Sequence, residues 1–137
     1  MKIRTTVMIT GIVFVLAGCA TMPTAEEIAQ LDYGQPITVD CQTAVKDHFR
    51  RVLFDPYSAQ YEFQEPRQFW FKESPLLGGR LYAGYMVFVG VNAKNRLGGY
   101  VGMQDYGFLF KNDEIIRVLE PGEVTMLKQK TQSTSRK

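Results

Sequence analysis

From residue 39 to residue 54 one side of the chain repeats with helical spacing. Val45, His48, Phe49, Val52 and Leu53 share a stripe that Cys41 and Ala44 extend. Lys46, Arg50 and Arg51 occupy the other side, with the two arginines near the C-terminal end, where the helix dipole favours cations. Thr38 or Asp40 is placed to cap the N-terminus. Asp55-Pro56 ends the helix, because the residue before a proline is pushed out of the helical region. Beyond that point the period changes to two. Residues 60–63 and 68–72 are aromatic and strand-like, separated by Pro66, and 80–91 and 100–111 are longer runs rich in valine and aromatics. Asn112-Asp113 marks a turn, and 114–119 is a short last strand. The pattern predicts an α+β domain, with one N-terminal amphipathic helix packed on a roughly four-stranded antiparallel meander sheet. Pro121-Gly122 closes the sheet, and the polar composition of 128–137 predicts disorder.

Within 80–91 both faces are apolar. One carries Leu81, Ala83, Tyr85, Val87, Val89 and Val91; the other carries Tyr82, Gly84, Met86, Phe88 and Gly90. A single helix covers a single face. Two readings stay open for the second face: it is curled, partly covered by the tether or tail, or simply aromatic and half exposed, or else it is a docking surface. Glycines at 84, 90, 102 and 107 fit strong coiling or bulges.

The first residues belong to a different pattern. Lys2 and Arg4 precede an apolar stretch from Val7 to Leu16, broken by Thr10 and Gly11, and Leu16-Ala17-Gly18-Cys19 follows directly. A spanning helix needs roughly 20 apolar residues, and Thr21, Pro23, Thr24, Glu26 and Glu27 end this run too early. A positive start, a short apolar core and a small-residue site read as an export signal. The tetrapeptide resembles the lipobox of bacterial lipoproteins. That resemblance implies diacylglycerol on the Cys19 sulfur, cleavage between Gly18 and Cys19, and acylation of the new amino terminus. Ala20 is not the aspartate that retains many such proteins in the inner membrane, so the implied location is the periplasmic face of the outer membrane. The chain then divides into a removed signal (1–18), a lipidated cysteine and flexible tether (19–36), one α+β domain (37–122) and a polar basic tail (123–137).

Cleavage changes the charge. The whole chain carries 16 basic and 14 acidic residues, and removing Lys2 and Arg4 leaves 14 of each. The basic balance thus resides in the signal, and the charge offers no argument for nucleic acid. With Cys19 acylated, Cys41 is left as a lone thiol, read as a small apolar residue on the helix. His48, the single histidine, has no paired His or Cys spacing and reads as a helix-boundary residue rather than a metal ligand. No nucleophile elbow or phosphate-binding glycine loop is present, and Asp55 and Asp105 stand far apart in sequence. The expectation is a non-enzymatic protein with no cofactor beyond the lipid on Cys19.

Two stretches stand out. In Asp55-Pro56-Tyr57-Ser58-Ala59, Asp55 and Ser58 suit local turn bonds to backbone amides. In Val91-Asn92-Ala93-Lys94-Asn95-Arg96-Leu97-Gly98-Gly99-Tyr100-Val101-Gly102, amides and glycines suit a hairpin whose polar tip could also be a recognition loop. Together they resemble a family of small lipoproteins and exported proteins of Gram-negative bacteria and their phages. These carry an Asp-Pro-x-Ser-Ala element before a Val-Asn-Ala-Lys-Asn…Gly-Gly-Tyr-x-Gly hairpin. The resemblance spans roughly residues 40–118 and implies a small exported helix-plus-sheet domain, with no catalytic residues to carry over. The expected role is protein binding or envelope assembly, through the hairpin tip Lys94, Asn95 and Arg96 and the aromatics Tyr82, Phe88 and Tyr106. A phage- or toxin-related exclusion factor is the alternative, and an envelope enzyme a more distant one.

Overall fold

The computed structural model describes residues 23–74, 76 and 78–134; the signal segment, Cys19 and the last three residues of the tail lie outside them. Three helices and five strands follow in the order α1 (Ala25–Ala29), α2 (Cys41–Val52), β1 (Asp55–Phe63), β2 (Arg67–Lys72), β3 (Leu81–Lys94), β4 (Gln104–Lys111), β5 (Glu114–Leu119) and α3 (Pro121–Thr134). The α+β class and the antiparallel meander are as the pattern predicts. The strand count is five because the first edge is broken in two: β1 and β2 both pair with β3, and β4 and β5 continue the sheet.

The break has a physical cause. Tyr61 lies opposite Val91 in β1, while Phe69 lies opposite Gly84 in β2, so one additional residue separates the two registers. Gln64 still donates its N–H to the Phe88 carbonyl (2.9 Å), and Pro66 has no N–H to give. A one-residue slip turns every side chain to the other face. Tyr61 and Phe63 therefore pack with α2, and Phe69 and Phe71 pack on the opposite side.

Both faces of β3 are buried. On one, Val87, Val89 and Val91 meet Phe108 and Phe110 of β4 and Val45 and Phe49 of α2. Phe49 is the hub of this layer, edge-on to Tyr106 at 4.9 Å and to Phe108 at 5.5 Å. On the other, Met86, Phe88, Leu109, Leu119 and Phe71 meet Val124 of α3, with Leu127 packed beside them. Here the expectation is corrected: residues 121–134 form a helix, not a disordered tail, and that helix covers the second face of the sheet. Glu123 fixes its start, accepting from Glu120 N–H at 3.0 Å and pairing with Arg117 at 2.9 Å, while Arg117 also reaches Glu73 at 3.5 Å. Gly84 is a required glycine, since a Cβ there would strike the Phe110 carbonyl oxygen of the neighbouring strand.

Asp40, one of the two candidates, is the N-cap of α2, accepting from the N–H groups of Gln42 and Thr43 at 3.0 and 3.2 Å. The segment before it is a second correction, because residues 23–36 are not a free tether. Thr24 and Glu27 form a reciprocal capping box on α1. Lys111 Nζ pairs with Asp32 at 2.9 Å, Gln35 N–H donates to Asn112 Oδ1 at 3.0 Å, and Thr38 N–H donates to Asp113 Oδ1 at 2.8 Å. Asn112 and Asp113 both have positive φ, 51° and 66°, the two-residue turn that joins antiparallel strands with the correct twist. The turn predicted from sequence thus also holds the N-terminal segment.

Two outcomes follow from this packing. Val124→Asp should strip α3 from the sheet, lower stability by about 2–4 kcal/mol in denaturant titration and raise binding of an apolar dye. Thr38, through its hydroxyl and then its N–H, holds Asp113 below the ordinary aspartate value; Lys111 followed by Gly34 N–H does the same for Asp32, and the Thr43 hydroxyl followed by Thr43 N–H for Asp40. A folded-state pKa below the unfolded one means stabilisation present above about pH 4 and lost as pH falls through the lowered values. Exchange protection of the amides of Gln35 and residues 37–39, taken relative to their intrinsic rates, should accordingly fall on acidification before that of the sheet core, and Asp113→Asn, which retains the left-handed turn, should flatten that dependence.

Candidate functional site

The two stretches singled out in sequence meet at one end of the sheet. Asp55 lies opposite Lys94, and Gln60 lies opposite Asn92, so five steps along β1 face two along β3. The surplus loops out as a bulge built by Asp55 and Ser58. Ser58 N–H donates to Asp55 Oδ1 at 3.2 Å, and the Ser58 hydroxyl donates to the Asp55 carbonyl at 2.9 Å. The same hydroxyl accepts the Lys94 N–H at 3.0 Å, and Tyr100 OH donates to the Ser58 carbonyl at 3.2 Å. Ser58 therefore rivets the bulge to both sides of the β3–β4 connection.

That connection is organised by two asparagines. Asn95 Oδ1 accepts from Leu97 N–H at 2.9 Å and Gly99 N–H at 3.2 Å, while Asn95 N–H donates to the Gly99 carbonyl at 2.9 Å. Asn92 Oδ1 accepts from Gly102 N–H at 3.0 Å. Gly98 and Gly102 have φ of +79° and +88° with open space around them, so the backbone conformation is what calls for glycine there. Residues 100–103, expected within a strand, belong to this loop, and β4 begins at Gln104. Tyr100 keeps one isolated bridge to Lys94. Met103 lies over Gly90, in the space a side chain there would fill.

The result is an ordered but solvent-facing surface. Tyr57 at the bulge tip and Leu97 at the loop tip are each 94% exposed, and Phe54, Tyr100, Val101 and Met103 are exposed as well. Two cations lie on its rings: Arg96 is 5.8 Å from the Phe54 centroid and Lys94 is 5.5 Å from that of Tyr100. No acidic residue occurs from Val91 to Gln104. Exposed apolar side chains here stand on a hydrogen-bonded frame that holds them in solvent.

The expected contact residues divide. Lys94 and Arg96 belong to this surface, and Asn95 lies within it as the group that shapes the loop. Phe88 does not: it is 6% exposed, beneath the Arg67 guanidinium at 5.2 Å and edge-on to Phe69 at 5.8 Å. The presence of α3 on that face is the reason. Tyr82 is half-buried, stacked on Phe71 at 5.1 Å near the start of β3, away from the loop. Tyr106 is half-buried against Phe49, where desolvation and then Glu120 raise its hydroxyl pKa. Phe54, Tyr57, Leu97, Tyr100, Val101 and Met103 were missed. Their signal was apolar residues placed among turn formers, where no core position could receive them.

Among the described residues the single histidine and the cysteine stand apart from this surface. His48 lies at the helix–sheet boundary, 5.2 Å edge-on to Phe108, and burial followed by Arg51 lowers its pKa. Burial and then Asp40 raise that of the Cys41 thiol, which disfavours the nucleophilic thiolate. Among the described residues no three His, Cys, Asp or Glu side chains gather as a metal site, and no helix is long and apolar enough to cross a membrane. A shallow depression lies between α1 and the start of β3, lined by Pro23, Glu27, Lys72, Gly79 and Leu81.

Comparison of the chain with protein-family models, curated proteins and solved structures finds no match.

Ser58→Ala tests the rivet. Loss of the hydroxyl leaves the Lys94 N–H without its acceptor, at a cost of about 1–3 kcal/mol. Amide exchange at Lys94 and across 95–102 should accelerate far more than in α2 or β5.

Proposed function

We propose that this protein is a lipid-anchored binding module of the bacterial envelope. Lipid on Cys19 holds it at the periplasmic face of the outer membrane. Its α+β domain engages another envelope protein and performs no catalysis. The observation that supports the binding role is the exposed surface of Tyr57, Leu97, Phe54 beneath Arg96 and Tyr100 beneath Lys94, carried by two sequence elements that Ser58 joins. Exposed aromatic and aliphatic groups on a frame built to hold them in place are what a protein interface uses as anchors. The support for the anchor is the Leu16-Ala17-Gly18-Cys19 sequence after its short apolar run. Two or more acyl chains there bind a bilayer stably, where one chain is marginal.

Metabolic labelling with a palmitate analogue should mark the wild-type chain and leave Cys19→Ser unlabelled. The variant should also shift from the outer-membrane fraction to the soluble periplasm. Unlabelled wild type, or a variant that remains in the membrane fraction, would dismiss the anchor.

A further inference from the structure

We propose that the Leu97 surface is the membrane-distal pole of the anchored protein and receives an acidic, apolar-bearing segment of another protein rather than a lipid surface. The distal placement, and with it the choice of a protein over a lipid surface, rests on the Cys19 anchor proposed above; the acidic, apolar chemistry of the partner rests on the surface itself.

The placement follows from where the N-terminal segment is fastened. Pro23 and Glu27 lie beside Lys72, Gly79 and Leu81 at the start of β3, and Asp32, Gln35 and Thr38 are tied to Lys111, Asn112 and Asp113 in the β4–β5 turn. All of these stand at one end of the sheet. The Leu97 loop stands at the other, separated by the 14 residues of β3, which at about 3.3 Å per residue amount to roughly 40 Å. Four covalent steps separate Cys19 from Pro23, a maximum reach of about 14 Å. A bilayer holding Cys19 is thus closer to the β4–β5 turn than to Leu97, and a domain standing on its anchored end carries Leu97 at the far pole.

The partner's chemistry follows from the surface itself. Exposed apolar tips with nearby cations could in principle enter an anionic lipid interface, but that requires the loop to face the bilayer. What remains is a protein. The Arg96 guanidinium over Phe54 and the Lys94 ammonium over Tyr100 leave N–H groups for carboxylates; residues 91–104 hold no acid, and Asp55 across the bulge accepts from Ser58 N–H. Leu97 and Tyr57 beside them need aliphatic or aromatic cover. A segment carrying Asp or Glu next to apolar side chains meets both demands.

The test uses the full chain exported in living cells, with photoreactive benzoylphenylalanine replacing Leu97 or, at the opposite end, Glu114. Crosslinking at 97 should yield a protein adduct whose joined peptide carries Asp or Glu beside apolar residues. Arg96→Glu should reduce that yield at least about tenfold, and Arg80→Glu, at the anchored end, should not. Unchanged thermal unfolding of both variants separates lost contact from lost fold. In vesicles of phosphatidylethanolamine and phosphatidylglycerol with a nitroxide-headgroup quencher, a coumarin side chain at 114 should be quenched more than one at 97. A lipid adduct, a peptide without acidic residues, no adduct at 97, or equal quenching at both positions would overturn the proposal. If mass spectrometry finds Cys19 without lipid, the distal placement falls with the anchor. The partner chemistry is then judged by the crosslink alone, which should persist in Cys19→Ser.

Discussion

A strand that is apolar on both faces has to be covered twice, and β3 sets that demand for the whole domain. Ala83 and every residue from Met86 to Val91 are buried, so no single helix satisfies the strand. The rest of the architecture answers this constraint. α2 brings Val45 and Phe49 to one side, and α3 brings Val124 to the other. The slip at Pro66 lets one edge of the sheet feed aromatics to both layers, Tyr61 and Phe63 to the first and Phe69 and Phe71 to the second. A broken edge also offers no long row of free backbone groups to a neighbouring chain, which limits edge-to-edge association.

With both faces covered, the two ends of the sheet present different surfaces. At one, the Asn112-Asp113 turn gathers the N-terminal segment through side-chain acceptors. At the other, Ser58 joins the bulge to the β3–β4 loop, and the loop projects apolar groups into solvent. The asparagines and glycines there serve the backbone, while Leu97, Tyr57 and the two ring-stacked cations face outward. Frame and contact surface are thus interleaved along one short stretch of sequence.

Legibility in the sequence followed periodicity and range. The α2 stripe, the strand runs and the Asn112-Asp113 turn are local signals, and each corresponds to an element of the structure. The helix α3 has weak amphipathicity, since among its described side chains Val124 is the one deeply buried, and its polar composition read as disorder. Pro121 at the first helical position and Glu123 in the first turn were the available signs. Thr24 with Glu27 was likewise a visible capping box, but the docking of that segment depends on partners 75 and 77 residues away, which no spacing reveals. The same applies to the rivet: both motifs stood out, yet Ser58 and Lys94 are 36 residues apart. The pattern offers Phe88 as a contact because α3 leaves no periodic trace, so the face that Phe88 shares shows no cover in sequence.

The position of α3 behind every strand it covers has a temporal consequence. A chain emerging from its N-terminus can seal the α2 layer as soon as Phe108 and Phe110 are out, while Met86, Phe88 and Leu109 wait for Val124. Until then the nascent domain is a sheet with one wet apolar side, a state prone to association if left waiting. Closure of the second layer therefore acts as a late latch, coupling the onset of a rigid native state to the arrival of a few residues near the end of the described chain.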